Sequence, residues 1–213
     1  MIDLSLQLVT DTRLCGPRGV PTVVAAAVAG GVRTVQVRDH DASAAELVAL
    51  TCAVAAVLDE HTTLLVDDRV DVVLAARLAG ARVDGVHVGQ SDLPVLAARR
   101  ILGADAVVGL TANTPAHLAA AHALPAGTVD YLGVGVIRAT ATKPDHPEPL
   151  GIDGFAELAA ATPLPCVAIG GVTADDAAAL RRAGAAGLAI VSAICAAEDP
   201  ESAARRFRTE WER

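Results

Sequence analysis

Thr140, Thr142 and Lys143 stand together in a stretch that runs from Gly133 to Gly151 and also holds Pro144, Pro147 and Pro149. Small hydroxyls around one ammonium group suit an oxyanion, because they donate hydrogen bonds and a phosphate group only accepts them. The prolines restrict the backbone and bar both helix and central strand. The stretch therefore reads as a mobile phosphate-binding lid. Further anion and cation ligands lie elsewhere in the chain. Gln36, Arg38 and His40 alternate and so share one face. An inward arginine there needs an anion, or else a structural pairing with a neighbouring Asp. Asp68, in the run Asp67-Asp68-Arg69, and Asp92, three residues after Gly89, could share one hard cation such as Mg²⁺. Both could instead cap the helices that follow them.

These groups must be brought together by something, and the pattern of the chain supplies it. Short apolar runs at 4–10, 33–38, 63–66, 84–88, 106–110, 129–135, 165–169 and 186–191 read as strands. Ala- and Leu-rich stretches at 19–30, 43–59, 69–80, 93–102, 115–124, 152–161 and 174–184, with a tail from about 199, read as helices. Parallel strands buried on both faces appear as continuous apolar runs, as these do. Such βα units close most naturally into a single-domain (β/α)8 TIM barrel over residues 1–213, an α/β fold. Residues just after the strands then converge on one mouth, where Thr111 is placed to bind a phosphate oxygen and Thr114 to cap a helix. Gly170-Gly171 and Ser192 follow the last two strands, the usual phosphate site of these barrels. His87, inside a strand, reads as a satisfied core histidine rather than a base, and His146 as solvated.

Composition narrows the partners. The net charge is −8, and no basic run with interleaved aromatics appears, which argues against nucleic acid and anionic membranes. There is no signal-peptide pattern and no apolar run of spanning length, so a cytoplasmic enzyme of small phosphorylated molecules is expected. A homo-oligomer is left open. Cys15, Cys52, Cys166 and Cys195 are far apart without CxxC spacing and are assigned no chemistry.

With its motifs taken in order, the chain resembles the thiamine-phosphate synthase family, of the same superfamily as the thiazole tautomerases. The resemblance rests on the segment from Leu8 to Asp11, on Gln36 and Arg38, on Asp68 to Asp71, on Asp84 to Gln90 with Asp92, on Gly133 to Gly135 with Thr140 to Lys143, on Ala168 to Gly171 and on Val191 to Ile194. It implies condensation of hydroxymethylpyrimidine diphosphate with hydroxyethylthiazole phosphate to thiamine monophosphate and pyrophosphate. It further implies Mg²⁺ on Asp68 and Asp92, and pyrimidine diphosphate contacts from Gln36, Arg38, His40 and Asp67. Thr111, Thr140, Thr142 and Lys143 would surround the pyrophosphate or thiazole groups, with Gly171, Val191 and Ser192 around the thiazole phosphate. Arg38, Thr111 and Lys143 would act on the reacting groups. The chain departs from the family pattern at His40 for Lys, Asp67 for Asn, Thr111 for Ser and Gln7 for Tyr. The tautomerase pattern carries a His where this chain has Asn113, and a reduced lid. A tautomerase and a catalytically weak phosphate-binding barrel are the alternatives, the latter motivated by His40 and Asp67.

Overall fold

The computed structural model describes residues 2–140 and 148–213, and in these the parallel strands close in chain order into one barrel. The strands are β1 (Leu6–Val9), β2 (Thr34–Val37), β3 (Thr63–Asp67), β4 (Gly85–Val88), β5 (Val107–Thr111), β6 (Tyr131–Gly135), β7 (Cys166–Ile169) and β8 (Ala185–Ile190). The helices are α1 (Thr12–Cys15), α2 (Val20–Ala29), α3 (Ala44–Ala55), α4 (Val70–Leu78), α5 (Val95–Leu102), α6 (Pro115–His122), α7 (Gly151–Ala160), α8 (Ala177–Arg182), α9 (Ser192–Cys195) and α10 (Pro200–Glu212). Each strand lies within about two residues of its sequence-predicted span. No helix among the described residues is long and apolar enough to cross a membrane.

Local chemistry sets the helix boundaries. Ser43 and Glu46 form a reciprocal capping box on α3, and the Thr114 hydroxyl accepts the His117 N–H at the start of α6. The sequence carries α3 to residue 59, but it stops at Ala55. The Asp59 carboxylate instead accepts from the His61 N–H and the Thr62 hydroxyl, which bends the chain into the turn before β3. The helix expected from residue 174 opens as a 3-10 turn, because Asp176 folds back to accept the Thr173 N–H and is held from outside by Arg138. The short helices α1 and α9, which follow β1 and β8, are absent from the sequence reading. Four residues are too few to show a helical period.

Apolar packing occupies both sides of the barrel wall. The larger cluster lies between strands and helices and includes Leu8, Val35, Leu64, Val86, Val108, Leu132 and Leu188. A smaller one, with Val9, Leu65, Tyr131, Val167 and Ala189, fills the barrel interior. One polar anchor stands out in the wall. Arg99 is buried and donates to the carbonyls of Thr128, Gly103, Ala104 and Ala106 and, at 2.6 Å, to the Asp130 carboxylate. Arg99→Met is expected to destabilise the fold by about 3–5 kcal/mol, since several carbonyls and the partly exposed Asp130 lose their common donor at once. Urea unfolding checks this, and a loss under about 1 kcal/mol would show that water replaces the guanidinium.

The segment between β6 and α7 is pinned at its base. The Leu150 N–H donates to the Val136 carbonyl at 2.8 Å and the Gly151 N–H to that of Ile137 at 3.1 Å. Beneath this base pass Gly170 and Gly171, with φ of 86° and 66°. A Cβ on Gly170 would lie 2.4 Å from the Val136 side chain, and one on Gly171 would lie 2.8 Å from Arg138. The glycine pair is thus required first by the close approach of two chain segments, whatever anion its N–H groups also meet. Thr142, Lys143 and His146 lie outside the described residues.

Candidate active site

The barrel register assembles the site. Paired Cα positions carry Asp67 of β3 to His87 of β4, Gly109 of β5 and Tyr131 of β6, so these four make one row across the inner wall. Gly109 leaves the space for its neighbours: a Cβ there would sit 2.4 Å from both His87 Nδ1 and Tyr131 Cζ. His87 Nδ1 lies 2.9 Å from the Tyr131 hydroxyl, and its Nε2 lies 3.0 Å from the Thr111 hydroxyl. The sequence reading of His87 as a satisfied histidine therefore holds, and the residue also lines the cavity above it. Burial pushes the Tyr131 phenol up, with the Asp67 and Asp130 charges adding to it, so it stays a neutral dipole.

Above this row lies a cavity of about 480 Å³. It is walled on one side by Gln36, Arg38, His40, Asp67, Asp68 and Asp92. Thr111, Thr140, Gly171, Val191 and Ser192 complete it opposite. Every described residue that the sequence nominates thus reaches one space. Asn113 lines it too, with its side-chain oxygen accepting the Gly135 N–H at 3.3 Å.

Neither aspartate singled out for the cation is a helix cap, so the capping alternative falls. Asp68 has φ 58°, in the left-handed region that residues with a side chain enter at a cost. Its N–H donates to the His87 carbonyl at 2.7 Å, and its side chain meets that of Asp92. At the start of α4 stands Arg69, without a side-chain cap bond, and Arg69 reaches outward to Asp71. Asp92 accepts the Gly89 N–H at 2.9 Å, while α5 begins at Pro94.

The electrostatics of this wall suit a cation. Burial pushes the Asp68 carboxyl up to about 8, and the charges of Asp67 and Asp92 push it the same way. Asp67 is also raised, by burial, although Arg38 and His40 oppose the shift. Three carboxylates crowded out of water repel one another, and a dication among them would remove that repulsion. Ligand atoms of His40, Asp67 and Asp68 lie within 4.8 Å of one another. The donor set therefore fits a divalent metal. Asp67, which the sequence reading places among the pyrimidine diphosphate contacts, is one of these three. It accepts from Gln36 Nε2, lies 3.5 Å from Arg38 Nε and lies 3.9 Å from His40 Nε2. The structural pairing considered for Arg38 is thus present, in a residue that also faces the cavity.

Sequence reasoning missed Tyr131 and Val136 as cavity residues, and noted Gln7 only as a departure from the family pattern. The available signal was glycine inside strands at Gly109 and Gly133, which marks a close neighbour rather than a turn.

The family model described as thiamine monophosphate synthase matches residues 6–194. A thiamine-phosphate synthase of Corynebacterium efficiens is 51% identical over 183 residues, covering 86% of this chain and 84% of its own. One from a Psychrobacter species is 45% identical over 201 residues, covering 94% and 92%. Among solved structures, the thiamine phosphate pyrophosphorylase of Pyrococcus furiosus superimposes with a TM-score of 0.84 at 29% identity, covering 99% of this chain and 96% of that one.

Proposed function

Since this chain belongs to the thiamine monophosphate synthase family, a set of transferases of thiamine biosynthesis, we propose that it joins 4-amino-2-methyl-5-hydroxymethylpyrimidine diphosphate to 4-methyl-5-(2-hydroxyethyl)thiazole phosphate, releasing pyrophosphate. The observation that carries this reading is the wall of three crowded carboxylates beside Arg38, at one end of a cavity whose other end holds Gly171 and Ser192. A diphosphate with its dication suits the first end and a single phosphate the second. Small phosphorylated molecules in the cytoplasm are the partners this implies.

The bond from the pyrimidine methylene carbon to the diphosphate oxygen breaks, and its electron pair leaves with pyrophosphate. The thiazole nitrogen then supplies the pair for the new carbon–nitrogen bond. Asp68 and Asp92, with Asp67 and His40 beside them, would hold Mg²⁺, which when bound offsets negative charge on the leaving diphosphate. Gln36 and Arg38 orient the pyrimidine diphosphate. Arg38, Lys143 and the hydroxyls of Thr111, Thr140 and Thr142 donate to oxygens whose charge grows as the bond breaks, which favours the transition state over the substrate. Gly171, Val191 and Ser192 hold the thiazole phosphate. The attacking nitrogen carries no proton, so no general base is required. That agrees with His87, whose two ring nitrogens already face the Tyr131 and Thr111 hydroxyls.

The test is incubation with both substrates and Mg²⁺, reading thiamine monophosphate and an equal amount of pyrophosphate. No product at any substrate level, with ligand binding intact, would leave a phosphate-binding barrel. Conversion of a thiazole carboxylate tautomer without condensation would mark a tautomerase. Lys143→Ala is expected to lower turnover about a hundredfold or more at an unchanged melting temperature, and a near-normal rate would remove Lys143 from the reaction.

A further inference from the structure

At the bottom of the cavity the wall contains a polar group that the protein itself does not satisfy. Gln7 lies in the middle of β1, 1% exposed, and it lines the cavity with Gln36 and Asp67. Its Nε2 has no hydrogen-bond partner among the described residues. Such a group is rare in an interior, because an enclosed amide gives up its bonds to water and needs replacements.

The neighbours of Gln7 are committed elsewhere or have nothing to offer. Its register partners are Thr34, whose hydroxyl donates to the Asp3 carbonyl at 2.8 Å, and Ala189. Gln36 already spends an amide N–H on Asp67, and the Tyr131 hydroxyl is held by His87. The rest of the interior cluster at this depth is apolar, with Val9, Leu65 and Val167. The missing acceptor must therefore arrive with whatever fills the cavity.

We propose that Gln7 donates a hydrogen bond to a ring nitrogen of the pyrimidine substrate and so selects the heterocycle that enters the barrel. This deepens the proposed function and rests on it. Three features choose the acceptor. The phosphates are drawn to the charged rim at Arg38, whereas the floor around Gln7 holds neutral dipoles and apolar side chains, which suit an uncharged heterocycle. The thiazole nitrogen needs its lone pair for the new bond, so a donor seated on it would block attack. A pyrimidine ring nitrogen is neutral, is not consumed and accepts in the ring plane. The bond exists before and during the reaction alike, so Gln7 is a binding and specificity residue and its loss acts on KM rather than on kcat.

The experiment combines Gln7→Leu with pyrimidine diphosphate analogues in which one ring nitrogen or the other is replaced by CH. In the unaltered protein, one analogue is expected to bind about tenfold to a hundredfold more weakly than the natural substrate, by calorimetry and by KM. Gln7→Leu is expected to lose a similar factor with the natural substrate and almost nothing further with that analogue. The thiazole KM and kcat should stay within about twofold, and the melting temperature should hold or rise, since an apolar side chain of similar volume removes the unmet donor. The assignment is overturned if both analogues bind the unaltered protein normally. It is equally overturned if losses from analogue and variant multiply, or if only the thiazole KM moves. The analogue arm needs no variant, so it decides even if Gln7→Leu does not fold. Calorimetry of the pyrimidine diphosphate also separates the two claims, because it reads Gln7 binding whether or not thiamine monophosphate is formed.

Discussion

Asp68→Ala and Asp92→Ala are each expected to lower thiamine monophosphate formation by about a hundredfold or more and to weaken Mg²⁺ binding measured by calorimetry. Asp68, Asp92 and Asp67 come from the end of β3 and the loop after β4; the Asp92 charge raises the cost of ionising both Asp67 and Asp68, and Asp67 does the same to Asp68. Under the proposed function a dication enters that arrangement and offsets the repulsion. The same reasoning gives an opposite sign for stability. In metal-free buffer Asp68→Asn should melt no lower than the unaltered protein, because neutralising one crowded carboxylate relieves its neighbours. With Mg²⁺ and pyrophosphate added, only the unaltered protein should gain a large upward shift. Equal shifts in both would show that Asp68 is not a ligand, and an intact rate in Asp92→Ala would take that residue out of the shell.

Arg38→Ala is the second large effect, and it separates two jobs that one guanidinium could hold. Arg38 and Asp67 are largely enclosed, 19% and 12% exposed, with Nε and Oδ2 3.5 Å apart. Removing the arginine leaves the enclosed Asp67 with only the Gln36 hydrogen bond and His40 to compensate it, so about 2–5 kcal/mol of stability should go with it. If neutralising Asp67 were the whole role, Arg38→Ala combined with Asp67→Asn would recover both stability and rate. The expected result is that the double variant recovers stability while turnover stays about a hundredfold to a thousandfold low, because the diphosphate still lacks its donor. Full recovery of the rate would reduce Arg38 to a structural partner.

The barrel was legible because parallel strands covered on both faces leave apolar runs that little else produces, and Gly80, Gly103 and Gly184 mark helix ends with φ of 88°, 91° and 91°. Arg38, Asp68 and Asp92 could be nominated because strand ends converge in such a fold. Their mutual geometry could not, since it depends on register and on the left-handed backbone of Asp68, which no local pattern announces. Gly170-Gly171 was read as an anion cradle, and it proves first to be clearance for the chain at Val136 and Arg138. The floor was only partly legible, with His87 read as a satisfied histidine, Gln7 noted as a departure from the family pattern and Tyr131 not singled out, for a related reason. Gln7, His87 and Tyr131 sit within apolar runs, where inward and outward positions look alike until the strands are paired.

The pinned base between β6 and α7 has a consequence for how chemistry can change on this scaffold. Two backbone hydrogen bonds close the base at Val136 and Ile137, and the bidentate contact of Arg138 with Asp176 braces it against the turn after β7. The anchoring bonds lie at the ends of the segment, so a change in the length between them leaves the bonds themselves in place. Doubling the length of an insert costs only about 0.6 kcal/mol in closure entropy. The anchors thus work as a socket, which holds the base closed against inserts of different length while the sheet keeps its register.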